Sequence, residues 1–309
     1  MATQPPGRTY TPAAARLRQL LAESTAPLTL PGVYDGLTAR IALNVGFQAL
    51  YMTGAGTAAS TLGQPDLGIL GLADMLRNAS MIASLDPSVP VIADADTGFG
   101  GPLNVARTVR GYIDAGVAGL HLEDQVANKR CGHLGGKELV SREEFWVRIR
   151  AAVRARRESR RDIVVVARTD ALQGQGFEEA VERLKGAVRE GADVAFLEGV
   201  RTEEEGRKFC EAMGSTPCFL NVVAGGVTPN FSKEDAHRMG YKIVIWPIVA
   251  LTEAYVGVER AMKELKGSGQ VATREDGKGG IRDIFGICGL DKCREFDEAV
   301  GGISYKNGV

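Results

Sequence analysis

The sequence predicts an α/β protein, a closed (β/α)8 barrel with an additional C-terminal helix, in a single domain over residues 1–309. Short runs rich in Val and Ile alternate with amphipathic stretches of about a dozen residues, which is typical of parallel βα units. Eight such runs occur over about 250 residues, the usual size of a closed barrel. After the first run, Pro31 to Asp35 lack the glycine-rich phosphate-binding pattern that usually follows the first strand of an open doubly wound sheet.

The predicted strands are short and apolar, and turn-forming or polar residues bound them. In chain order they are Leu28 to Val33, Ala49 to Met52, Val89 to Ala93, Gly119 to Leu122, Ile163 to Ala167, Val194 to Leu197, Cys218 to Val222 and Ile243 to Trp246. The clearest helical patterns between them are Pro102 to Ala115, Arg142 to Arg157, Phe177 to Glu190, Glu203 to Met213 and Lys233 to Met239. Four of these helices end at a glycine, the usual residue just past a helix end: Gly116, Gly191, Gly214 and Gly240.

Both ends of the chain extend beyond the βα units. Residues 1–25 predict a tail followed by an N-terminal helix. Leu251 to Leu265 predict the last barrel helix, Lys266 to Gly280 a polar connection, and Ile281 to Val300 an amphipathic helix or helix pair. A helix appended to a complete barrel must bury its apolar face elsewhere, either beneath the barrel or on a neighbouring subunit. We therefore expect the extension over about 266–309 to be exchanged between subunits.

Composition excludes several classes of protein. The 37 Lys and Arg residues balance 38 Asp and Glu residues, which argues against a basic nucleic-acid binder or a polybasic membrane anchor. The five cysteines are scattered, and the sequence has neither a membrane-spanning apolar run nor a signal-peptide pattern. These features predict a soluble cytoplasmic protein. Arg8, Arg16 and Arg18 precede the first acidic residue, Glu23, which is compatible with a mitochondrial transit peptide, but a tail and helix explain them better.

Polar side chains cluster at the C-terminal ends of the predicted strands, where (β/α)8 barrels carry their active sites. An ordinary βα loop would show one or two capping residues there. Instead, consecutive strands run into Tyr51 to Gly56, Asp94 to Asp96, Glu123 and Asp124, Arg168 to Asp170, Glu198, and Asn221. The sequence therefore predicts a functional site at this end of the barrel.

Three of these residues are candidate ligands of a divalent cation. Asp94, Asp96 and Glu123 offer the oxygen donors that Mg²⁺ prefers, and Mn²⁺ is an alternative. Alone, the two aspartates would equally suit helix N-caps, but a glutamate from the adjacent strand favours a metal site. Asp66 is either an additional outer carboxylate or an ordinary turn residue after Pro65.

The loop from Asn128 to Lys137 combines cations, glycines and Cys131. Cations beside a cysteine are expected to lower the pKa of its thiol toward neutrality, and glycines allow a loop to move. A free and chemically inert thiol is the alternative. Because the loop directly follows a strand with a predicted metal ligand, we favour a role for Cys131 in proton transfer.

Four segments together resemble the isocitrate lyase and phosphoenolpyruvate mutase superfamily, and the resemblance covers nearly the whole chain. They are Tyr51 to Gly56, Asp94 to Gly100, Leu122 to Asp124, and Lys129 to His133. The last matches the K-[KR]-C-G-H signature of a gate loop, which is highly specific. Chain length and gate loop are most similar to the short fungal and plant branch that contains 2,3-dimethylmalate lyase, petal death protein and oxaloacetate acetylhydrolase.

The resemblance implies an oligomer, usually a dimer of dimers, with exchanged C-terminal helices, and a set of roles at the site. It implies that Asp94, Asp96 and Glu123 hold Mg²⁺ largely through water, with Asp66 nearby, and that Cys131 protonates the departing carbanion. The implied substrate-binding residues are Arg168, Glu198, Asn221, Tyr51, Thr53, Gly54, Ala55 and Asp94, with Lys129, Gly132 and His133 shaping the closed gate.

The implied reaction is a Mg²⁺-dependent carbon–carbon cleavage of a small di- or tricarboxylate. A 2-hydroxy dicarboxylate would yield a 2-oxo acid and a carboxylic acid through an enediolate, whose charge Arg168 offsets and which Cys131 protonates. Glu198 or Tyr51 would take the hydroxyl proton, and the sequence does not choose between them.

The substrate is predicted from departures from the family pattern. Phosphoenolpyruvate mutases lack the Cys-Gly-His gate, and classical isocitrate lyases are much longer. Oxaloacetate acetylhydrolases carry a serine just after the eighth strand, where this chain has Trp246 and Pro247. Pro247 favours a substituted malate such as 2,3-dimethylmalate, and Trp246 is a candidate selector of apolar substituents. Oxaloacetate hydrolysis and then methylisocitrate or isocitrate cleavage are the alternatives, and the complete set of site residues disfavours a catalytically silent binding protein.

Overall fold

The computed structural model describes residues 11–271, 277 and 279–305. Eight parallel strands close into a barrel in chain order, and the eighth pairs with the first. The strands are β1 Leu28–Val33, β2 Leu50–Met52, β3 Val91–Asp94, β4 Gly119–Glu123, β5 Val164–Thr169, β6 Val194–Leu197, β7 Cys218–Asn221 and β8 Ile243–Trp246. The predicted (β/α)8 barrel, a TIM barrel, is confirmed, and each predicted strand is present within a few residues of its expected bounds.

Helices follow the strands and cover the outside of the barrel. They are α1 Ala13–Glu23, α2 Gly36–Val45, α3 Gly54–Thr57, α4 Leu72–Leu85, α5 Pro102–Asp114, α6 Arg142–Ser159, α7 Leu172–Gln175, α8 Phe177–Arg189, α9 Glu203–Met213, α10 Lys233–Met239, α11 Val249–Ser268, α12 Ile281–Ile287 and α13 Leu290–Ala299, with a π-helix at Ala58–Leu62. The four glycines predicted to end helices all have positive φ, between 62° and 103°. Among the helices described, none has the length and apolar character needed to cross a bilayer.

The barrel has a packed interior that is closed at its lower end by α1. Leu17 and Leu20 of α1 are buried against strand residues such as Val164 and Phe196. Arg18 anchors the helix from outside, with Nε 2.6 Å from Asp162 Oδ2. The predicted N-terminal helix is therefore part of the barrel, which leaves the opposite end for the site. Residues 1–10, including Arg8, lie outside the described residues.

The C-terminal helices present apolar surface to solvent. None of α11, α12 and α13 buries a side chain in the single chain. Tyr255, Met262, Ile281 and Phe296 are each more than 60 % exposed. The predicted last barrel helix and amphipathic pair are present, although α11 continues to Ser268, into the predicted connection. Residues 272–276 and 278 of that connection lie outside the described residues.

The connection from β8 to α11 crosses the end of β1 at a glycine. A Cβ on Gly32 would overlap the backbone of Pro247, so only glycine allows this close approach. Trp246 ends β8 beside Pro31 of β1. Both Trp246 and Pro247 therefore lie at the barrel mouth, on the wall opposite β4 and β5.

Candidate active site

Buried carboxylates lie at the ends of β3 and β4. Asp94, Asp96 and Glu123 are each at most 5 % exposed. Asp96 has φ 46°, a left-handed conformation that is uncommon for a residue with a side chain, and its N–H donates to Asp94 Oδ1 at 2.8 Å. Asp96 is one of the predicted metal ligands. Residues with a strained backbone cluster at functional sites, so its conformation supports a functional site here.

A lysine from the gate loop lies within this acidic cluster. Lys129 Nζ is 2.5 Å from Asp66 Oδ1 and 2.6 Å from Asp96 Oδ1. Burial disfavours an ammonium group, but the surrounding carboxylates, Asp96 and Glu123 first among them, raise the pKa of Lys129 well above its usual value. Lys129 therefore stays charged and ties the loop to the acids.

Lys129 alone does not keep all of these acids ionised. Burial raises the pKa of Asp96 to about 6 even though Lys129 lowers it, and burial raises the pKa of Glu123 well above its usual value. Glu123 Oε2 is buried and accepts no hydrogen bond from the described residues. An additional cation would satisfy this oxygen and restore the ionised state of the cluster.

The geometry favours a hydrated cation over a directly ligated one. Within the described part of the chain, no three His, Cys, Asp or Glu side chains converge closely enough to hold a metal ion themselves. Mg²⁺ commonly keeps several of its waters and contacts protein carboxylates through them. The donor set therefore fits the water-mediated site that the sequence predicts.

Arg168, at the end of β5, is a fixed cation in the centre of the mouth. Its Nε and Nη2 donate to the two oxygens of Asp170 at 2.9 and 3.1 Å. Nη1 is 3.3 Å from Glu123 Oε2, and Nη2 is 3.5 Å from Glu198 Oε2. Burial opposes its charge, but Asp170 and the two glutamates raise the pKa of Arg168 well above its usual value. Sequence analysis assigned no role to Asp170, which holds this guanidinium by two hydrogen bonds.

Glu198, Asn221 and His133 form the far side of the mouth, at the ends of β6 and β7. Asn221 Nδ2 donates to Glu198 Oε2 at 3.0 Å. Val227 N–H donates to His133 Nδ1 at 3.1 Å, Asn221 Nδ2 lies 3.2 Å from Nε2, and burial lowers the pKa of His133, which favours the neutral ring. Nε2 is also 3.5 Å from Glu198 Oε1. His133 thus docks the gate loop onto the barrel.

The predicted lowering of the pKa of the Cys131 thiol is wrong. Burial raises the pKa of this thiol, whereas the neighbouring cations were expected to lower it. Lys129 is committed to the acids, and the side chain of Arg130 lies exposed near Gly136. The thiol is therefore protonated at neutral pH, which is the form that can donate a proton.

The gate is closed over Arg168 and Glu198. A Cβ on Gly132 would overlap Arg168 Nη2 and the side chain of Glu198, so the loop can close to this extent only with glycine there. Cys131 N–H donates to the carbonyl oxygen of Asp66 at 3.1 Å, which fixes the other side of the loop.

The segment after β2 forms the floor of the site. Gly54 N–H donates to Asp94 Oδ2 at 3.2 Å, and Thr53 Oγ1 accepts the N–H of Gly56 at the start of α3. Tyr51 Oη is 2.8 Å from Nε2 of His121, which burial keeps neutral by lowering its pKa to about 3. Ala55 follows Gly54 in α3. His121 is an interior residue, as predicted.

Cavity size does not locate the site. A groove of about 990 Å³ lies on the outer wall between α5 and α6 and contains none of the site residues above. Smaller cavities flank the closed gate. One of about 390 Å³ borders Asp96 and Lys129, and one of about 510 Å³ borders His133 and Asp170. The convergence of charge, burial and strain at the strand ends identifies the site more reliably than volume does.

A (β/α)8 barrel with these acids, a buried arginine and a thiol-bearing gate defines an enzyme for small anionic substrates. Residues 17–266 match the phosphoenolpyruvate phosphomutase family. The chain belongs to the phosphoenolpyruvate mutase and isocitrate lyase superfamily, and it is an enzyme of the lyase type found there. The resemblance predicted from the gate loop is confirmed.

Several relatives are similar over almost their whole length. The 2,3-dimethylmalate lyase of Eubacterium barkeri is 41 % identical over 286 residues, which cover 92 % of this chain and 96 % of the relative. A structure of oxaloacetate acetylhydrolase with 3,3-difluorooxalacetate is 50 % identical, with TM-score 0.92 and coverage of 95 % and 99 %. A structure of 2,3-dimethylmalate lyase is 49 % identical, with TM-score 0.93 and coverage of 97 % and 99 %. The more distant phosphonopyruvate hydrolase, 30 % identical with TM-score 0.82 and coverage of 93 % and 99 %, has been solved with oxalate and Mg²⁺.

Proposed function

We propose that the protein cleaves the carbon–carbon bond of a substituted malate such as 2,3-dimethylmalate, releasing a 2-oxo acid and a carboxylic acid. The observation that carries this proposal is Cys131, a protonated thiol held by a closed gate beside Arg168 and Glu198. A lyase that generates a carbanion needs such a buried proton donor, because bulk water must be kept away until the carbanion is protonated.

Glu198 is the group we assign to deprotonate the substrate hydroxyl. Its Oε1 is buried and accepts no hydrogen bond from the described residues, while Oε2 is held by Asn221. Tyr51 is the weaker candidate, because burial raises the pKa of its hydroxyl well above 10 and disfavours the phenolate. When the hydroxyl loses its proton, an electron pair on the resulting alkoxide oxygen forms the second carbon–oxygen bond of the 2-oxo acid's carbonyl. The electron pair of the broken carbon–carbon bond stays on the departing fragment.

Arg168 would stabilise the departing fragment as an enediolate. Its guanidinium is fixed by Asp170 and desolvated, so it is oriented before the negative charge develops. Cys131 then transfers its proton to the carbon, and the proton taken by Glu198 can restore the thiol. Atoms and charges balance without an oxidant or a reductant.

We assign Mg²⁺, with Mn²⁺ as the alternative, to Asp94, Asp96 and Glu123, with Asp66 as the outer carboxylate. Glu123 Oε2, which has an ion-pair contact with Arg168 but accepts no hydrogen bond from the described residues, and the raised pKa of Asp96 support a cation there. Phosphonopyruvate hydrolase, a relative, has been solved with Mg²⁺. When bound, the ion would supply positive charge that stabilises the substrate oxyanion. Thr53, Gly54 and Ala55 would position the adjacent carboxylate.

Overall similarity does not separate the lyase from the hydrolase, since both kinds of relative are about equally identical to this chain. Pro247 supports the lyase in this proposal, because its ring has no hydroxyl and no N–H to hold a hydrated ketone. We therefore place oxaloacetate hydrolysis second. Trp246 beside Pro247 remains a proposed border of the substituent pocket.

The test is a Mg²⁺-dependent turnover screen with 2,3-dimethylmalate, 2-methylisocitrate, isocitrate and oxaloacetate offered separately. We expect 2,3-dimethylmalate to be cleaved to pyruvate and propionate, and chelation of the metal to abolish turnover. Faster release of oxalate from oxaloacetate than cleavage of any malate would contradict the lyase proposal and the use of Pro247 as a discriminator.

We further propose that α11 to α13 pack between subunits, with the C-terminal helices exchanged in a dimer of dimers. The support is the exposed apolar surface of these helices, including Tyr255 and Phe296. Sedimentation should show an oligomer that Phe296→Glu weakens, whereas Leu103→Glu on α5, at an even more exposed residue, should leave it intact. A compact wild-type monomer would refute the exchange.

A further inference from the structure

A second buried lysine lies at the end of the gate loop and takes no part in the chemistry above. Lys137 Nζ donates to the carbonyl oxygen of Gly132 at 2.6 Å and to Asp170 Oδ1 at 2.8 Å. Its side chain is 4 % exposed. One partner belongs to the gate and the other to the end of β5. We propose that Lys137 is a positioning residue, the latch that holds the gate closed and couples closure to the alignment of Arg168.

The local chain shape makes this bridge reachable. Lys137 follows Gly135 and Gly136, and Gly136 has φ 74°, in the left-handed region that favours glycine. The backbone turns back there, so that a side chain five residues after Gly132 reaches the carbonyl of that residue. Gly132 itself lies against Arg168, so fixing its carbonyl fixes the part of the gate that covers the site.

Asp170 carries the coupling from the latch to the arginine. It accepts two hydrogen bonds from Arg168 and one from Lys137. Although burial disfavours its charge, these two cations lower the pKa of Asp170 to about 2. With Lys137 withdrawn, the carboxylates Glu123, Asp170 and Glu198 would share the single charge of Arg168. When the gate closes, Lys137 therefore contacts Asp170 again, as the second cation that keeps this carboxylate ionised and aligned.

The test reads the state of the gate without any substrate. Iodoacetamide alkylation of Cys131, followed by peptide mass spectrometry, measures how often the loop opens. Because charged hydrogen bonds are the stronger kind, we expect Lys137→Met to raise the alkylation rate of Cys131 on the order of tenfold. Arg201→Met is the matched control. It removes one positive charge from the same 510 Å³ cavity, and the backbone N–H of Arg201, which its substitution keeps, donates to Glu205. It should leave the rate within about twofold.

Rescue and stability measurements separate a latch from a general structural role. Lys137→Arg should return the alkylation rate toward that of the wild type, because a guanidinium can bridge the same two oxygens. An unchanged rate in Lys137→Met, with an unchanged Tm, would overturn the proposal. Should Lys137→Met fail to fold, Lys137→Gln keeps a donor without the charge, and a wild-type rate in that variant would overturn it equally.

The effect of the latch on turnover rests on the proposed function. If 2,3-dimethylmalate is cleaved, Lys137→Met should lower kcat more than it raises KM, because the gate protects the carbanion and contributes less to binding the ground state. Failure of every substrate together with faster Cys131 alkylation would count against the proposed function alone.

Discussion

Cys131→Ser is expected to lower kcat for carbon–carbon cleavage by about 10²- to 10⁴-fold, the usual contribution of a positioned general acid. Serine preserves the size of the side chain and the N–H donated to Asp66, but its hydroxyl is a much weaker acid than a thiol. The fold should be unaffected. Steady-state kinetics and the thermal unfolding of both proteins measure the two effects. Cys210→Ser, on α9 at the outer wall, is the matched control and should retain activity.

The pH dependence gives an independent check on the same residue. Cys131 must be protonated to act, so activity should be lost as pH rises through the pKa of its thiol. Because burial raises that pKa above its usual value of 9, the alkaline limb due to Cys131 should lie above pH 9. An alkaline limb near neutral pH that disappears in Cys131→Ser would mean that the pKa of the thiol is lowered, which would contradict the effect of its burial. Retention of activity within a few-fold in Cys131→Ser would assign the proton to another group.

The fold was predictable because local periodicity and topology constrain a closed barrel strongly. The alternation of apolar runs with helical patterns specified eight strands, and β1, β6 and β8 have the predicted bounds. The C-terminal ends of parallel strands meet at one rim, so polar residues there had to converge. This is why Asp94, Glu123 and Arg168 were found from the sequence.

What the sequence did not predict depends on where individual loop side chains point. Lys129 and Cys131 are two residues apart, yet the ammonium lies in the acidic cluster, and burial raises the pKa of the thiol more than Arg168 lowers it. Asp170 was one of the polar residues after β5 without an assigned role, but it accepts hydrogen bonds from both Arg168 and Lys137. A Gly-Gly-Lys sequence one residue after the Cys-Gly-His gate was the available signal for Lys137, because the paired glycines allow the chain to return.

Arg168→Met is expected to have the second large effect, because it removes the cation among Glu123, Asp170 and Glu198. Catalysis should fall by about 10²- to 10³-fold, as for other losses of a preorganised donor to a developing anion. Removing one partner of a buried ion pair also destabilises a protein by about 3–5 kcal/mol, because the other charge stays buried and unpaired. Arg168→Lys should recover part of the stability but little of the activity, since an ammonium cannot make both hydrogen bonds to Asp170.

The loss of stability in Arg168→Met should depend on pH in a defined direction. In the wild type the pKa of Asp170 is lowered to about 2, so Asp170 contributes stability above its unfolded pKa near 4 and loses it as pH falls toward 2. Without Arg168 that contribution shrinks, so the difference between variant and wild type should be largest at neutral pH and smaller near pH 3. Urea unfolding at both pH values measures this difference in stability. As a control, Arg189→Met, at an exposed ion pair with Glu182, should change stability by less than about 1 kcal/mol. Equal urea midpoints for wild type and Arg168→Met at neutral pH would mean that the three carboxylates are not ionised together. In that case protons would balance their charge in the substrate-free protein, and Arg168 would act only once an anion binds.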